Sequence, residues 1–156
     1  MQKLSHIEVS EICDELGEPY PKNIERVHGG DIHSAWKIEF ANKKLFLKRN
    51  DRNKNFLEFE KYCLQNLRKH SNQKNLIIPE VIAFKNFKKV EILVMEWIDM
   101  QNFDQKNLGK GLGEMHLNST ESNPEIFGYP IEGFIGLTSQ KKGWENNWID
   151  CFLNLR

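Results

Sequence analysis

Three features of the chain could act on a phosphate. Gly29 and Gly30 stand together between two apolar stretches, Lys48 closes a short apolar run, and Glu60 lies in the helical pattern that follows. A phosphate needs backbone N–H donors that approach closely, which glycine permits because it has no Cβ. It also needs a cation, and a lysine ammonium is a compact point charge. The ammonium must in turn be held, and a helix carboxylate facing the strand would hold it. Each residue has a plainer role as well. A Gly-Gly pair makes a hairpin turn, a lysine at the end of a strand protects a sheet edge, and Glu58 competes with Glu60. Glu60 adjoins Phe59 and stands four residues before Leu64, beside the apolar stripe of its helix, which favours it over Glu58.

A fourth feature is the apolar run Ile92-Leu93-Val94-Met95-Glu96-Trp97-Ile98-Asp99. The main chain at the end of such a strand could pair with adenine while apolar side chains flank the ring; the alternative is a buried strand ending in a turn. Protein kinases combine a Gly-rich loop with a Lys–Glu pair in this order. The three cysteines, Cys13, Cys63 and Cys151, are far apart and show no metal-ligand spacing, which argues against a zinc site. Their sparse use and the lack of a signal-peptide pattern fit a reducing, cytoplasmic setting. Cys13 and Cys63 lie in apolar periodic stretches and read as buried thiols.

The elements that would position these residues follow from spacing. Ser5 and Glu8 have capping-box spacing and open a short helix carrying Ile7, Ile12, Cys13 and Leu16, ended by Gly17 and Pro19. Strand signals run from Ile24 to His28, from Ala35 to Phe40 and from Leu45 to Lys48, with Ala41-Asn42-Lys43 as a tight turn. A helix is expected over 53–70, with Phe56, Phe59, Tyr62, Cys63, Leu64 and Leu67 as its apolar stripe. Val81 to Phe84 follows Pro79, Asn86 to Lys89 reads as a turn, and Val90 to Ile98 as an apolar strand interrupted by Glu91 and Glu96. Asp104 can cap a helix running to about Leu117. Residues 118–140 look loop-like. A last helix is expected from about Trp144, with Trp144, Trp148, Cys151, Phe152 and Leu155 on one face. His33 and Asp31 read as surface loop residues.

Composition sets the outer limits. The chain has 156 residues, 39% of them hydrophobic and 28% charged, so a core can be built and a wholly disordered chain is excluded. No apolar run approaches the roughly 18 residues that would span a bilayer as a helix. The formal net charge of zero hides blocks: 4 basic and 8 acidic residues in 1–40, 13 and 4 in 41–90, 5 and 10 in 91–156. The basic middle suggests an anionic ligand, or a solvated lysine-rich surface. A non-catalytic anion- or nucleic-acid-binding module on 41–90 is the alternative function, weakened because the aromatics between Lys43 and Lys89 fall on the apolar stripe.

With these residues in view, the chain resembles the fructosamine (ketosamine) kinases. Gly29-Gly30-Asp31-Ile32 and Ala35 resemble that family's G-G-D-I-x-x-A signature, Leu45 to Asn50 its lysine strand, and Phe56 to Glu60 its helix with the partner glutamate. Leu93 to Ile98 resembles its L-x-x-E-[WF]-[LI] hinge and Leu108 to His116 its L-G-x-x-L-x-x-[LM]-H helix. Phe127-Gly128-Tyr129, Ile135-Gly136, Gln140, Trp144 and Trp148 continue the likeness, which covers roughly 24–156. The resemblance implies an α+β, protein-kinase-like fold: an N-lobe over 1–98 with an antiparallel sheet of about five strands plus a helix, then the first helices of a truncated C-lobe over 99–156. It implies ATP as cofactor, Mg²⁺ in the complete family fold, and a small glycated amine as substrate. By the same resemblance Gly29, Gly30, Asp31 and Ile32 belong to the loop over the phosphates, Lys48 contacts them, Glu60 holds Lys48, and the main chain of Glu96, Trp97 and Ile98 holds adenine.

One departure stands out. The family's H-G-D-x-x-x-x-N catalytic loop and later metal-binding Asp have no counterpart in these 156 residues. His28-Gly29-Gly30-Asp31 has one residue too many, and no Asp follows His116. The expectation is therefore that this chain alone binds nucleotide weakly and does not transfer phosphate at a useful rate. An aromatic face on the last helix, lacking partner helices, would favour self-association. No membrane partner is expected, and nucleic acid is disfavoured.

Overall fold

A computed structural model describes residues 4–29, 32–52, 55–87, 89–100, 104–120 and 125–156. The expected loop residues Gly30 and Asp31, and the expected helix start at Asn53, lie outside them. The chain divides into two compact units, Met1–Leu64 with Pro79–Met100, and Gln65–Ile78 with Gln101–Arg156.

The first unit is built on a five-stranded antiparallel sheet. Its strands are β1 (Asn23–Val27), β2 (Ser34–Glu39), β3 (Lys44–Asn50), β4 (Val81–Phe87) and β5 (Val90–Glu96), in the spatial order β1-β2-β3-β5-β4. Two helices belong to it: α1 (His6–Leu16) and the first part of α2 (Phe56–His70). α1 starts where the sequence says it should. The Ser5 hydroxyl accepts from the Glu8 N–H, the Glu8 carboxylate accepts from the Ser5 N–H, and Gly17 closes the helix in a left-handed conformation at φ 63°. Ile7 is not part of its buried stripe; it is exposed, and Val9 joins Ile12 and Cys13 in the core.

Alternation along the strands gives the sheet two apolar faces. Leu45, Leu47, Trp36, Ile38, Ile92 and Val94 pack with Val9, Ile12 and Cys13 of α1 on one face. Leu93 and Met95 pack with Leu57 of α2 on the other, flanked by Phe46, Leu64, Val81 and Phe84. Both faces of β5 are therefore buried, which accounts for its near-continuous apolar run. The expected stripe of α2 needs correcting. Leu57 is fully buried, whereas Tyr62 and Leu67 are exposed and Cys63 is only partly buried.

In the second unit α3 (Gln105–Thr120) begins with the Asp104 carboxylate accepting from the Lys106 N–H at 2.9 Å. Residues 118–140 are not simply loop. α3 runs to Thr120, and short strands β6 (Phe127–Tyr129), β7 (Gly133–Ile135), β8 (Thr138–Gln140) and β9 (Gly143–Glu145) pair as β6–β9 and β7–β8. Trp144 lies in β9 rather than in the last helix, α4 (Trp148–Leu155), which Asn147 caps. Cys151 is the buried residue of α4, while Trp148 and Phe152 stay exposed. No helix among the described residues is long and apolar enough to cross a membrane.

Candidate functional site

Lys48 is held by its strand register. Its Cα partners are Ala35 on β2 and Leu93 on β5, so its side chain shares a face with Leu93 and points towards α2. Glu60 sits one helical turn beyond Leu57 on the sheet-facing side of α2. Lys48 Nζ donates to Glu60 Oε1 at 2.6 Å, with each side chain about a quarter exposed at 28% and 27%. Glu58 is exposed, and its side chain makes no such approach. One donor of the ammonium goes to Glu60, and two remain for an oxyanion.

The loop between β1 and β2 lies at the same end of the sheet. Gly29 adopts φ 123°, where side-chain-bearing residues are strained, and a Cβ there would meet nothing within 4 Å. Glycine is thus required by backbone conformation and not by crowding. Gly30 and Asp31 are outside the described residues; Ile32, just after them, is partly buried.

His33 is not the surface loop residue expected from sequence. Its ring stacks at a tilt on Phe56, the first residue of α2, with centroids 5.5 Å apart. Its Nδ1 is buried and has no hydrogen-bond partner among the described residues. Burial holds its pKa below the usual histidine value, against the pull of Glu60 and with a push from Lys48 and Arg52. Burial thus favours its neutral form, and it lies within electrostatic range of the Lys48–Glu60 pair.

At the expected hinge, β5 ends at Glu96, and Trp97 and Ile98 follow beyond its ladder. The Glu96 N–H donates to the Glu80 carbonyl at 2.9 Å, which ties the end of β5 to the chain just before β4. The Trp97 indole turns towards the β2–β3 hairpin. It donates to Asp99 Oδ1 at 2.7 Å and lies under Lys37 Nζ, 5.1 Å from the ring centre. A depression of about 500 Å³ beside it is lined by Phe40, Lys43, Lys44, Trp97 and Asp99 among others, and includes neither Lys48 nor Glu60. The structure thus brings Lys48, Glu60 and the turn after β1 to one region and places the side chain of Trp97 away from it.

Sequence reading missed Glu91. In sequence it only interrupts an apolar strand, yet it is buried at 4% exposure and accepts hydrogen bonds from Asn50 and from the first turn of α2. The available signal was a carboxylate inside a run buried on both faces, which demands donors from elsewhere in the chain. Among the described residues no three His, Cys, Asp or Glu side chains converge as metal ligands would. The donors present fit an anion better than a cation.

Comparison with known proteins shows the family and the fold. A family model described as fructosamine kinase matches residues 5–156. A probable ketoamine kinase of Klebsiella aerogenes is 28% identical over 131 residues, 82% of this chain and 44% of that protein. The crystal structure of a candidate fructosamine-3-kinase from Haemophilus somnus 129PT matches with a TM-score of 0.76 at 20% identity, over 95% of this chain and 50% of that one. A spectinomycin phosphotransferase, solved in complex with ADP and spectinomycin, matches with a TM-score of 0.56 at 20% identity, over 75% of this chain and 39% of its own. These likenesses show a kinase-like α+β fold. The chain spans about half the length of the relatives it matches.

Proposed function

The chain belongs to the fructosamine kinase family, and from that premise we propose that it carries the nucleotide-binding part of an ATP-dependent kinase acting on a sugar hydroxyl of a ketosamine. The observation that carries this reading is the 2.6 Å Lys48–Glu60 pair on the α2 face of the sheet, beside the glycine turn. Residues 1–98 form the nucleotide-binding lobe, and 99–156 begin the helical lobe. The loop of Gly29, Gly30, Asp31 and Ile32 covers the phosphates. Lys48 neutralises phosphate charge, and Glu60 keeps its ammonium from swinging into solvent. The main chain of Glu96, Trp97 and Ile98 borders adenine. ATP, when bound, supplies the phosphoryl group.

The described residues form no ligand cluster for Mg²⁺. No H-G-D-x-x-x-x-N stretch occurs in the 156 residues, so the chain by itself binds nucleotide without turning a ketosamine over.

Calorimetric titration with ATP tests the proposal. Wild-type chain binds, and Lys48→Ala binds roughly tenfold or more weakly, the worth of one charge-assisted hydrogen bond. Equal affinity for both would overturn the assignment of Lys48. Phosphoester formation on fructosyl-lysine, followed by phosphorus NMR, is expected to be absent for the chain alone; steady turnover would overturn that part.

A further inference from the structure

We infer that Glu91 is a positioning residue for the Lys48–Glu60 pair, acting by anchoring the first turn of α2 to the sheet. The inference rests on Lys48 being the phosphate-binding cation. Glu91 Oε2 accepts from the Leu57 N–H at 3.1 Å, and Oε1 accepts from the Glu58 N–H at 3.2 Å. These are the second and third residues of α2, whose N–H groups have no acceptor within the helix. An ordinary cap comes from the residue just before the helix and satisfies it without saying where it sits. Here the acceptor comes from a strand more than thirty residues away in sequence, so satisfying the helix also fixes its place on the sheet. The negative charge suits the positive end of the helix.

Glu91 is itself held. Its Cα partner across the ladder is Asn50, which donates from Nδ2 to Glu91 Oε2 at 2.6 Å, while Asn50 Oδ1 accepts from the Arg52 N–H at 3.1 Å. Lys48 stands two residues before Asn50 and Leu93 two residues after Glu91, so anchor and ion pair occupy consecutive positions on one face. The spacing along the strand is about 7 Å. On the helix, Leu57 and Glu60 are about 4.5 Å apart along the axis. The fully buried Leu57 side chain packs beside Leu93 between the two polar contacts. The first turn of α2 thus has two backbone hydrogen bonds and one apolar contact to the sheet, and Glu60 is delivered to Lys48 from that footing.

The test is a double-mutant cycle on the full chain, reading ATP and adenosine affinities by calorimetry. Glu60→Gln is expected to weaken ATP about tenfold and leave adenosine unchanged. Glu91→Gln is expected to weaken ATP about three- to tenfold with adenosine unchanged, because an amide NH₂ replaces one acceptor oxygen and faces the Asn50 amide donor. In the Glu60→Gln background, Glu91→Gln adds nothing further. Additive losses, an unchanged ATP affinity in Glu91→Gln, or equal losses for ATP and adenosine would each overturn the inference. If Glu60→Gln and Lys48→Ala both leave ATP affinity unchanged, the phosphate-site reading itself fails, a result distinct from failure of the anchor. A polarity swap guards against simple misfolding. In Asn50→Asp with Glu91→Gln, the glutamine donates to the aspartate and keeps its oxygen for the helix, so ATP affinity returns to within about threefold of wild type; no recovery overturns the inference.

Discussion

Replacing Glu8 by glutamine measures how firmly α1 is fastened to the sheet. Glu8 is 8% exposed. It accepts from the Ser5 N–H and hydroxyl, each at 2.8 Å, and from Arg49 Nε on β3 at 2.8 Å. Glutamine keeps the shape and one acceptor oxygen but loses the charge. A charge-assisted bond becoming a neutral one costs about 1–2 kcal/mol. Loss of an acid from the first turn of a helix costs about 0.3–1 kcal/mol more. The expected total is about 2 kcal/mol, a fall in melting temperature of about 4–8 °C for a chain of this size. Burial alone would raise the pKa of Glu8, but the bonds from Ser5 and Arg49 outweigh it and hold the carboxyl below its usual value. With the folded pKa depressed, the contribution of this charge is complete above the unfolded-state value of about 4.3 and is lost as pH falls through the folded one. The stability gap between wild type and Glu8→Gln should therefore be widest at pH 7 and begin to narrow only as pH falls below about 4.3. Urea unfolding followed by fluorescence of the buried Trp36 reports it. A gap under about 0.5 kcal/mol at pH 7, or one that ignores pH, would refute the reasoning.

Other substitutions probe the rest of the frame. Leu57→Ala removes a fully buried side chain between α2 and the sheet and should cost about 2–5 kcal/mol in urea unfolding, with weaker ATP binding. Gly29→Ala meets no neighbour, but φ is 123°; a loss of about 1 kcal/mol from backbone strain is expected by thermal melting. Gly128→Ala would place a Cβ 2.0 Å from the Gly143 carbonyl at φ 150°. It should part β6 from β9 and cost more than about 3 kcal/mol, seen as early loss of the Trp144 and Trp148 fluorescence signal.

What could be read from the sequence was whatever depends on near neighbours. The capping box and the glycine C-cap of α1 are complete within thirteen residues, Ser5 to Gly17, and form as the pattern says. The sheet strands alternate clearly because β2 and β3 carry apolar residues at every second position. Glu60 was separable from Glu58 by its place beside the helix stripe, and that same placement brings it to Lys48. Glu91 was opaque for the opposite reason: its three donors come from β3 and α2, and nothing adjacent to it in sequence announces them. His33 was opaque because a polar loop residue gives no sign that an aromatic ring from the next helix, Phe56, will lie against it. The strands of 127–145 are three residues each, too short for alternation to be distinguished from loop.

The charge blocks acquire a physical meaning from strand alternation. Lys48 and Arg49 are adjacent in sequence, so their side chains leave β3 on opposite faces. Arg49 is in register with Ile92 and faces α1, where Glu8 receives it; Lys85 of β4 is also in register with Ile92 and pairs with Glu15 of α1. Lys43, in the β2–β3 turn, pairs with Glu18 at 2.8 Å. The acidic 1–40 segment and these cations of the basic middle therefore neutralise each other within the fold, which takes them away from any external polyanion. Lys48 faces the other way, towards α2, and its partner Glu60 comes from the basic segment itself, with the pair left partly open. A slip of β3 by one residue would exchange the two faces, sending Arg49 to Glu60 and Lys48 to Glu8 while turning Leu45 and Leu47 out of the α1 core. The packing that keeps Leu47 fully buried is thus what reserves Lys48, among neighbouring cations, for a ligand.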